Sequence, residues 1–268
     1  MEENDAKYDP RIRRAKLKPH KDSSFQKIIA VVSGKGGVGK SFVTSLLAVS
    51  LMNEGHKVSI MDADITGPSI SKTFGEDSYT CMGDKEGIFP AKTSCGLTLI
   101  SSNNLLDDPT TPIVWRGSLI SSLVAQMFTE VVYGEKEFLL IDMPPGTGDV
   151  PLTVFQQLPI DGIVIVTSPQ DLVSEVVTKS IKMAKMMNVK ILGVVENMAY
   201  VKCPHCGEEI PLFGKDNVQD LLKNMNVSLL DRLGIDPALT SLIDEGKIEE
   251  YKGNDLKNTV QAVTNLLK

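Results

Sequence analysis

Apolar residues fall into two spacings along the chain. Short, continuous runs rich in Val and Ile stand at 27–32 (KIIAVV), 57–62 (KVSIMD), 137–142 (EFLLID), 162–167 (GIVIVT) and 190–195 (KILGVV). Runs of this length without polar alternation predict strands buried on both faces, as in a parallel sheet. Between them, VGKSFVTSLLAVSLMNEG and DLVSEVVTKSIKMAKMMN carry a helical pattern, and Gly55 is the predicted C-cap of the first. Strands alternating with helices predict an α/β fold: a mostly parallel central sheet flanked by helices.

Two stretches break the pattern. Residues 75–115 have no clean period and read as an irregular insertion, and 198–215, rich in Cys, Pro and Gly, read as a loop or small hairpin. No repeat or low-complexity linker divides the chain, so 23–268 is expected to form a single domain behind a loose arm at 1–22. That arm gathers Lys7, Arg11, Arg13, Arg14, Lys16, Lys18 and Lys21. It reads as solvated, with partner docking as the sharper alternative.

Composition adds exclusions. The 268 residues are 42% hydrophobic and 23% charged, and the net charge of −6 argues against a general nucleic-acid binder. No apolar run approaches the ~20 residues of a membrane span. The charged start MEENDAKYDP is no secretory leader. A cytoplasmic location is expected, with neither nucleic acid nor membrane as partner.

The chemistry begins at 33–41, SGKGGVGKS. Gly34 to Ser41 fits G-x-x-x-x-G-K-[ST] directly after one predicted strand and before a helical pattern, the context the motif requires. Gly34, Lys35, Gly36, Gly37, Val38 and Gly39 would wrap backbone N–H groups round phosphates, and the helix start adds its positive dipole end. Lys40 would reach the outer phosphates, with the Ser41 hydroxyl on Mg²⁺. Mg²⁺ also calls for a carboxylate from a neighbouring strand end. Asp142 closes EFLLID and fits, followed by a Pro/Gly-rich turn, MPPGTGD. Asp62 and Asp64 stand in DADITGPS, where a carboxylate could bind metal or orient an attacking water. Asp64 is the stronger candidate. Lys35 makes the loop unusual, since one lysine suffices for the phosphates.

Four cysteines remain. Cys81 and Cys95 are isolated and read as small buried hydrophobes. Cys203 and Cys206 form a CxxC in KCPHCG, open to three readings: a redox pair, a structural zinc with His205 as a spare ligand, or an iron–sulfur cluster. A redox pair belongs at a helix start, whereas this one sits in a loop after a late strand. Zinc and a cubane cluster each want four ligands, twice what the motif holds, and a symmetric dimer would supply the rest.

GKGGVGKS resembles the deviant Walker A loop of the MinD/ParA/nitrogenase-iron-protein class of SIMIBI-type P-loop NTPases. Within that class the chain is similar to the Mrp/ApbC (Nbp-type) iron–sulfur cluster carrier ATPases. The residues behind this are DADITGPS, VWRGS at 114–118, LLIDMPPGTGDV, VTSPQDL, VVENMAYVKCPHCG and LFG, spread over about 27–245. The resemblance implies that Lys35 reaches across a homodimer interface to the partner's phosphates. It implies that Asp64 is the switch I aspartate, that Asp142 through Asp149 form switch II and that Asn197 contacts adenine. It also implies that Cys203 and Cys206 of two chains share one 4Fe–4S cluster, delivered to apo iron–sulfur proteins under control of ATP. The chain departs from the family at Ser118, where WRGS replaces WRGP, and after LFG, where KDN replaces glycines. The first 80 residues hold no Cys, so a second, ferredoxin-like cluster is not expected. The alternative is a MinD/ParA-type positioning or partition ATPase with a structural zinc at the CxxC.

Overall fold

The computed structural model describes residues 15–105, 117–146, 148–169, 173–213 and 218–268. Arm residues 1–14, residues 114–116 of VWRGS, Thr147 in the turn after Asp142, residues 170–172 of VTSPQDL and residues 214–217 after Phe213 lie outside the described residues.

In chain order the strands are β1 (Ser23–Ser33), β2 (Val58–Asp62), β3 (Gly83–Asp84), β4 (Gly87–Ile88), β5 (Ala91–Lys92), β6 (Thr98–Ile100), β7 (Gly134–Asp142), β8 (Gly162–Thr167), β9 (Ile191–Glu196), β10 (Val201–Lys202), β11 (Glu209–Ile210) and β12 (Leu229–Arg232). The helices are α1 (Lys40–Asn53), α2 (Ile70–Thr73), α3 (Gly117–Thr129), α4 (Asp149–Gln157), α5 (Val173–Met186), α6 (Val218–Met225), α7 (Pro237–Asp244) and α8 (Lys257–Thr264). Eight strands make one sheet in the order β12-β9-β8-β1-β7-β2-β6-β5, and every pairing is parallel except β5 with β6 at one edge. The five apolar runs all lie in this sheet, with β1 and β7 at its centre.

Side chains alternate across each strand, so a strand covered on both sides has no polar face. In β1, Ile28, Ala30 and Val32 join the core under α3, α4, α5 and α6, while Ile29 and Val31 join the core under α1, α7 and α8. At the end of α1, Gly55 has φ 92°. Its N–H donates to the Met52 carbonyl at 2.9 Å and the His56 N–H to the Leu51 carbonyl at 3.1 Å. This is the Schellman closure that the glycine predicts.

Three expectations need correction. The stretch 75–115 is not merely an irregular insertion: β5 and β6 extend the main sheet, and β3 pairs with β4 as a hairpin. These strands are two or three residues long, too short to show a period. The arm is not loose from residue 16 onward. Lys16 Nζ donates to the carbonyls of Phe155 (2.5 Å) and Leu158 (3.0 Å), and the Leu17 N–H to Gln157 (2.8 Å). The last carbonyls of α4 lack helical partners and carry the negative dipole end, which draws an ammonium. Cys81 is half-buried against the core, and its desolvation pushes the thiol up to about 11, but Cys95 is exposed in the turn between β5 and β6. That turn leaves it no apolar wall.

The chain reverses after α2 at Gly75 (φ 72°) and after α7 at Gly246 (φ 70°), and the two turns touch through their backbones. A Cβ on Gly246 would stand 2.6 Å from Gly75 Cα and 2.8 Å from its nitrogen. Strain and overlap with backbone then act together, so Gly246→Ala is expected to lower stability by about 2–4 kcal/mol. Urea unfolding followed by circular dichroism measures this, and an unchanged midpoint would contradict the contact.

Candidate nucleotide site and cysteine hairpin

The sheet register builds the site. Asp142 pairs with Val31 on one side and with Asp62 on the other, so β1, β7 and β2 end together at the carboxyl edge of the sheet. Ligands of open α/β sheets bind along this edge. From β1 the chain runs through Gly34–Gly39 directly into α1. Gly37 and Gly39 have φ of 83° and 80°, so the loop can turn its N–H groups inward. No side chain caps the first turn of α1. Its N–H groups face a cavity of about 420 Å³, whose walls include Lys35, Gly36, Gly37, Gly39, Lys40, Ser41 and Asp64. Pro145 after β7 and Thr240 and Ile243 of α7 close the rest.

At the cavity floor a buried ion pair joins loop and sheet. Lys40 Nζ lies 2.6 Å from Asp142 Oδ2 and 3.6 Å from Asp64 Oδ2. The Asp142 carboxylate also accepts from Ser41 Oγ (2.5 Å) and Thr44 Oγ1 (2.6 Å). A fully buried charge is tolerated because three donors satisfy it. Thr44 went unnoticed in the sequence. It stands one helical turn beyond Lys40, on the same face of α1, and that spacing could have flagged it.

Asp62 and Asp64 divide their labour. Asp62 is buried, and its Oδ2 accepts from the Ser69 and Ile70 N–H groups (3.1 and 3.2 Å) and Ser101 Oγ (3.2 Å). Its Oδ1 accepts the Asp64 N–H at 3.1 Å, so Asp62 shapes the loop that presents Asp64. Burial first, then the charge of Asp142, pushes the Asp62 carboxyl up to about 7. The Asp64 carboxyl is also raised by burial, against the pull of Lys40, and it faces the cavity. The oxygens of Ser41, Asp64 and Asp142 already surround one cation, the Lys40 ammonium. This hard-oxygen set suits Mg²⁺.

A second cavity of about 500 Å³ shares Phe42 with the first. Its walls are largely apolar: Phe42, Leu46, Tyr200, Val201, Pro204, Leu233, Ile235 and Pro237. Asp236 caps α7 by accepting the Ala238 N–H at 2.8 Å, with Pro237 at the first helical position. Asn197 follows β9 and is 4% exposed. It donates its amide to the Val38 carbonyl at 3.0 Å, bracing the glycine loop, and lines neither cavity.

The CxxC crowns the β10–β11 hairpin, as the expected small hairpin at 198–215. The Cys203 N–H donates to Glu208 and the Gly207 N–H back to Cys203, both at 2.9 Å. Both thiols are free, Cys203 half-buried and Cys206 exposed. The backbone N–H groups of His205 and then Cys206 lower the Cys203 thiol below its ordinary range, which favours the metal-binding thiolate. Ile210, Leu212, Phe213 and Ile235 lie exposed on or beside this hairpin. Among the described residues, no group of three or more His, Cys, Asp or Glu could hold a metal.

A strand, a glycine loop and a helix at the carboxyl edge of a parallel sheet, with a buried Lys–Asp pair beneath, define a P-loop NTPase. Over residues 24–268 the chain matches the sequence model of the family described as ParA: NUBPL iron-transfer P-loop NTPase, and it belongs to that family. An iron–sulfur cluster carrier protein of Clostridium perfringens is 43% identical over 235 residues, 85% of this chain and 82% of its own. A nucleotide-binding protein of Archaeoglobus fulgidus, solved in complex with ADP, is 42% identical with a TM-score of 0.78, over 87% of this chain and 91% of its own. The cell division ATPase MinD of Pyrococcus furiosus, 22% identical, has a TM-score of 0.62 over 90% of this chain and 99% of its own, a likeness of fold alone.

A Cβ at Gly39 would overlap the Asn197 amide nitrogen, and φ there is 80°. Gly39→Ala is therefore expected to strain the loop by about 1–3 kcal/mol and to weaken nucleotide binding by about ten-fold or more. Isothermal titration of the folded variant provides the comparison, and wild-type affinity would refute the bracing role of Asn197.

Proposed function

We propose that this protein is a cytoplasmic, homodimeric ATPase that carries a 4Fe–4S cluster between two chains and transfers it to apo-proteins. The observation that carries the reading is the free thiol pair of half-buried Cys203 and exposed Cys206, on a hairpin at the edge of the sheet that bears the nucleotide loop. A cubane needs four thiolates, and a C2 pair of hairpins brings four together. The exposed Ile210, Leu212, Phe213 and Ile235 support burial of this hairpin against a second copy. A cluster held by two ligands from each chain depends on how the chains meet, which suits release better than permanent storage. The name of the Clostridium perfringens relative supports its cluster-carrier part, and the ADP complex of the Archaeoglobus fulgidus relative supports its nucleotide part.

In the nucleotide site, the loop N–H groups and Lys40 would hold the phosphates. Lys40 would exchange its carboxylate partner for phosphate oxygens, while Ser41, Asp142 and Asp64 hold Mg²⁺, which neutralises phosphate charge when bound. Asp64, raised by burial and facing the cavity, would orient the attacking water. The apolar cavity behind Phe42 would take the base. Asn197 would act behind the loop, bracing it through the Val38 carbonyl, rather than on the base. Lys35 would complete the partner's site, as a cation supplied in trans does for other phosphoryl transfers.

Anaerobic reconstitution with iron and sulfide tests the carrier reading. About four irons and four sulfides per two chains are expected, with loss in Cys203→Ser. Zinc without sulfide would instead leave a P-loop ATPase with a structural CxxC.

Hydrolysis by the paired chains has its own signature. Turnover per chain should rise with protein concentration, and Lys35→Ala should flatten that rise while leaving ATP binding in place. A turnover rate independent of concentration in the wild type would remove Lys35 from the partner's site.

A further inference from the structure

The larger cavity and the cysteine hairpin share a wall. Pro204, between the two thiols in sequence, lines the cavity together with Phe42, Tyr200 and Ile235. The phosphate cavity touches no residue of 200–206. We propose that Pro204 reports occupancy of the apolar cavity by a purine base to Cys203 and Cys206, so that the base, not the phosphates, sets how the thiols are presented. The inference rests on the nucleotide reading of the site and adds the route by which that site regulates the metal-binding motif.

The two sides of the cavity differ in stiffness. Phe42 belongs to α1, whose buried face is packed into the core, and it follows Ser41 directly. The other side is light. β10 and β11 pair through two residues each, and a two-stranded ribbon has little stability of its own. The hairpin is tied to the segment after β12 by the Val201–Ile235 bridge and by the Ile235 N–H donating to the Tyr200 carbonyl at 2.8 Å. Tyr200 packs against Gly234, where a Cβ would come 2.5 Å from its ring, and the Lys202 ammonium sits 5.8 Å from the ring centroid. Tyr200 and Ile235 are thus tied together, and Pro204, in the turn of the same hairpin, lines the cavity with them. A flat ring entering against Phe42 meets that wall and bears on the thiol turn.

Any ligand that favours one thiol geometry is favoured by it in return. A base that displaces Pro204 thus changes thiol presentation, and metal on the thiols changes nucleotide affinity by the same factor. Pyrophosphate, confined to the glycine loop, has no contact through which to do so.

The test uses the reduced, metal-free full chain under anaerobic conditions. Iodoacetamide alkylation is followed cysteine by cysteine by mass spectrometry, with ADP, pyrophosphate or adenosine, each with Mg²⁺. ADP and millimolar adenosine should change the rate at Cys203 or Cys206 by about five-fold or more, in line with ordinary coupling energies. Pyrophosphate should change neither rate. Cys95, exposed in the turn between β5 and β6 at the opposite edge of the sheet, is the internal control. Pro204→Gly at saturating ADP should lose the effect while both thiols still react. Titrations of ADP and pyrophosphate separate the two possible failures. If ADP binds no more tightly than pyrophosphate, the base is not held in this cavity, and the nucleotide reading and the inference fall together. If ADP binds more tightly but leaves both thiols unmoved, or pyrophosphate moves them equally, the inference alone is overturned.

Discussion

The buried pair of Lys40 and Asp142 is the contact on which the site depends. It joins the first residue of α1 to the last residue of β7, two elements distant in sequence and adjacent at the centre of the sheet. Two charges removed from water are costly unless other donors complete their shells, and Ser41 and Thr44 do so for Asp142. The pair thereby locks the glycine loop onto the sheet. It also leaves an imbalance of charge. Asp64 and Asp142 both stand beside the Lys40 ammonium, while burial first and then the charge of Asp142 push the nearby Asp62 carboxyl up. Carboxylate and hydroxyl oxygens beside loop N–H groups are the chemistry that a Mg²⁺–phosphate pair calls for.

Around this floor the carboxyl edge is assembled from parts of unequal rigidity. The loop after β2 is drawn in by Asp62, which gathers the N–H groups of Asp64, Ser69 and Ile70. Helix α7 lines both cavities, with Pro237 in one and Thr240 and Ile243 in the other, and the turn that follows it touches Gly75. The far end of α4 is held by Lys16 and Leu17. The helix beyond the Asp142 turn is thus anchored at the end away from the nucleotide. The cysteine hairpin is the lightest part, tied to the edge by few backbone bonds. A carrier needs such a division: a stiff nucleotide floor and a metal-binding motif whose presentation can change.

Much of this was legible in residue order. A buried parallel strand must be apolar on both faces, so the five long strands appear as continuous runs of Val, Ile and Leu. The glycine loop was legible because its chemistry is local: nine consecutive residues carry the turn, the N–H groups, the ammonium and the hydroxyl. The CxxC was legible for the same reason. What escaped was short or long-range. β5, β6 and β12 hold two to four residues each, too few for periodicity to register. The docking of Lys16 on α4 spans about 140 residues and leaves no trace in spacing.

By itself, the sequence determined the parallel α/β architecture, the phosphate loop and the thiol pair, because each rests on contacts between near neighbours in the chain. Tertiary structure decided which carboxylate meets Lys40, since that follows from strand order and register. It decided that Asp62 shapes its loop while Asp64 faces the cavity, although the two stand only two residues apart. It also brought Pro204 to the wall of the cavity that begins at Phe42. Those assignments depend on which distant segments share one edge of the sheet, and only the packed sheet brings those segments together.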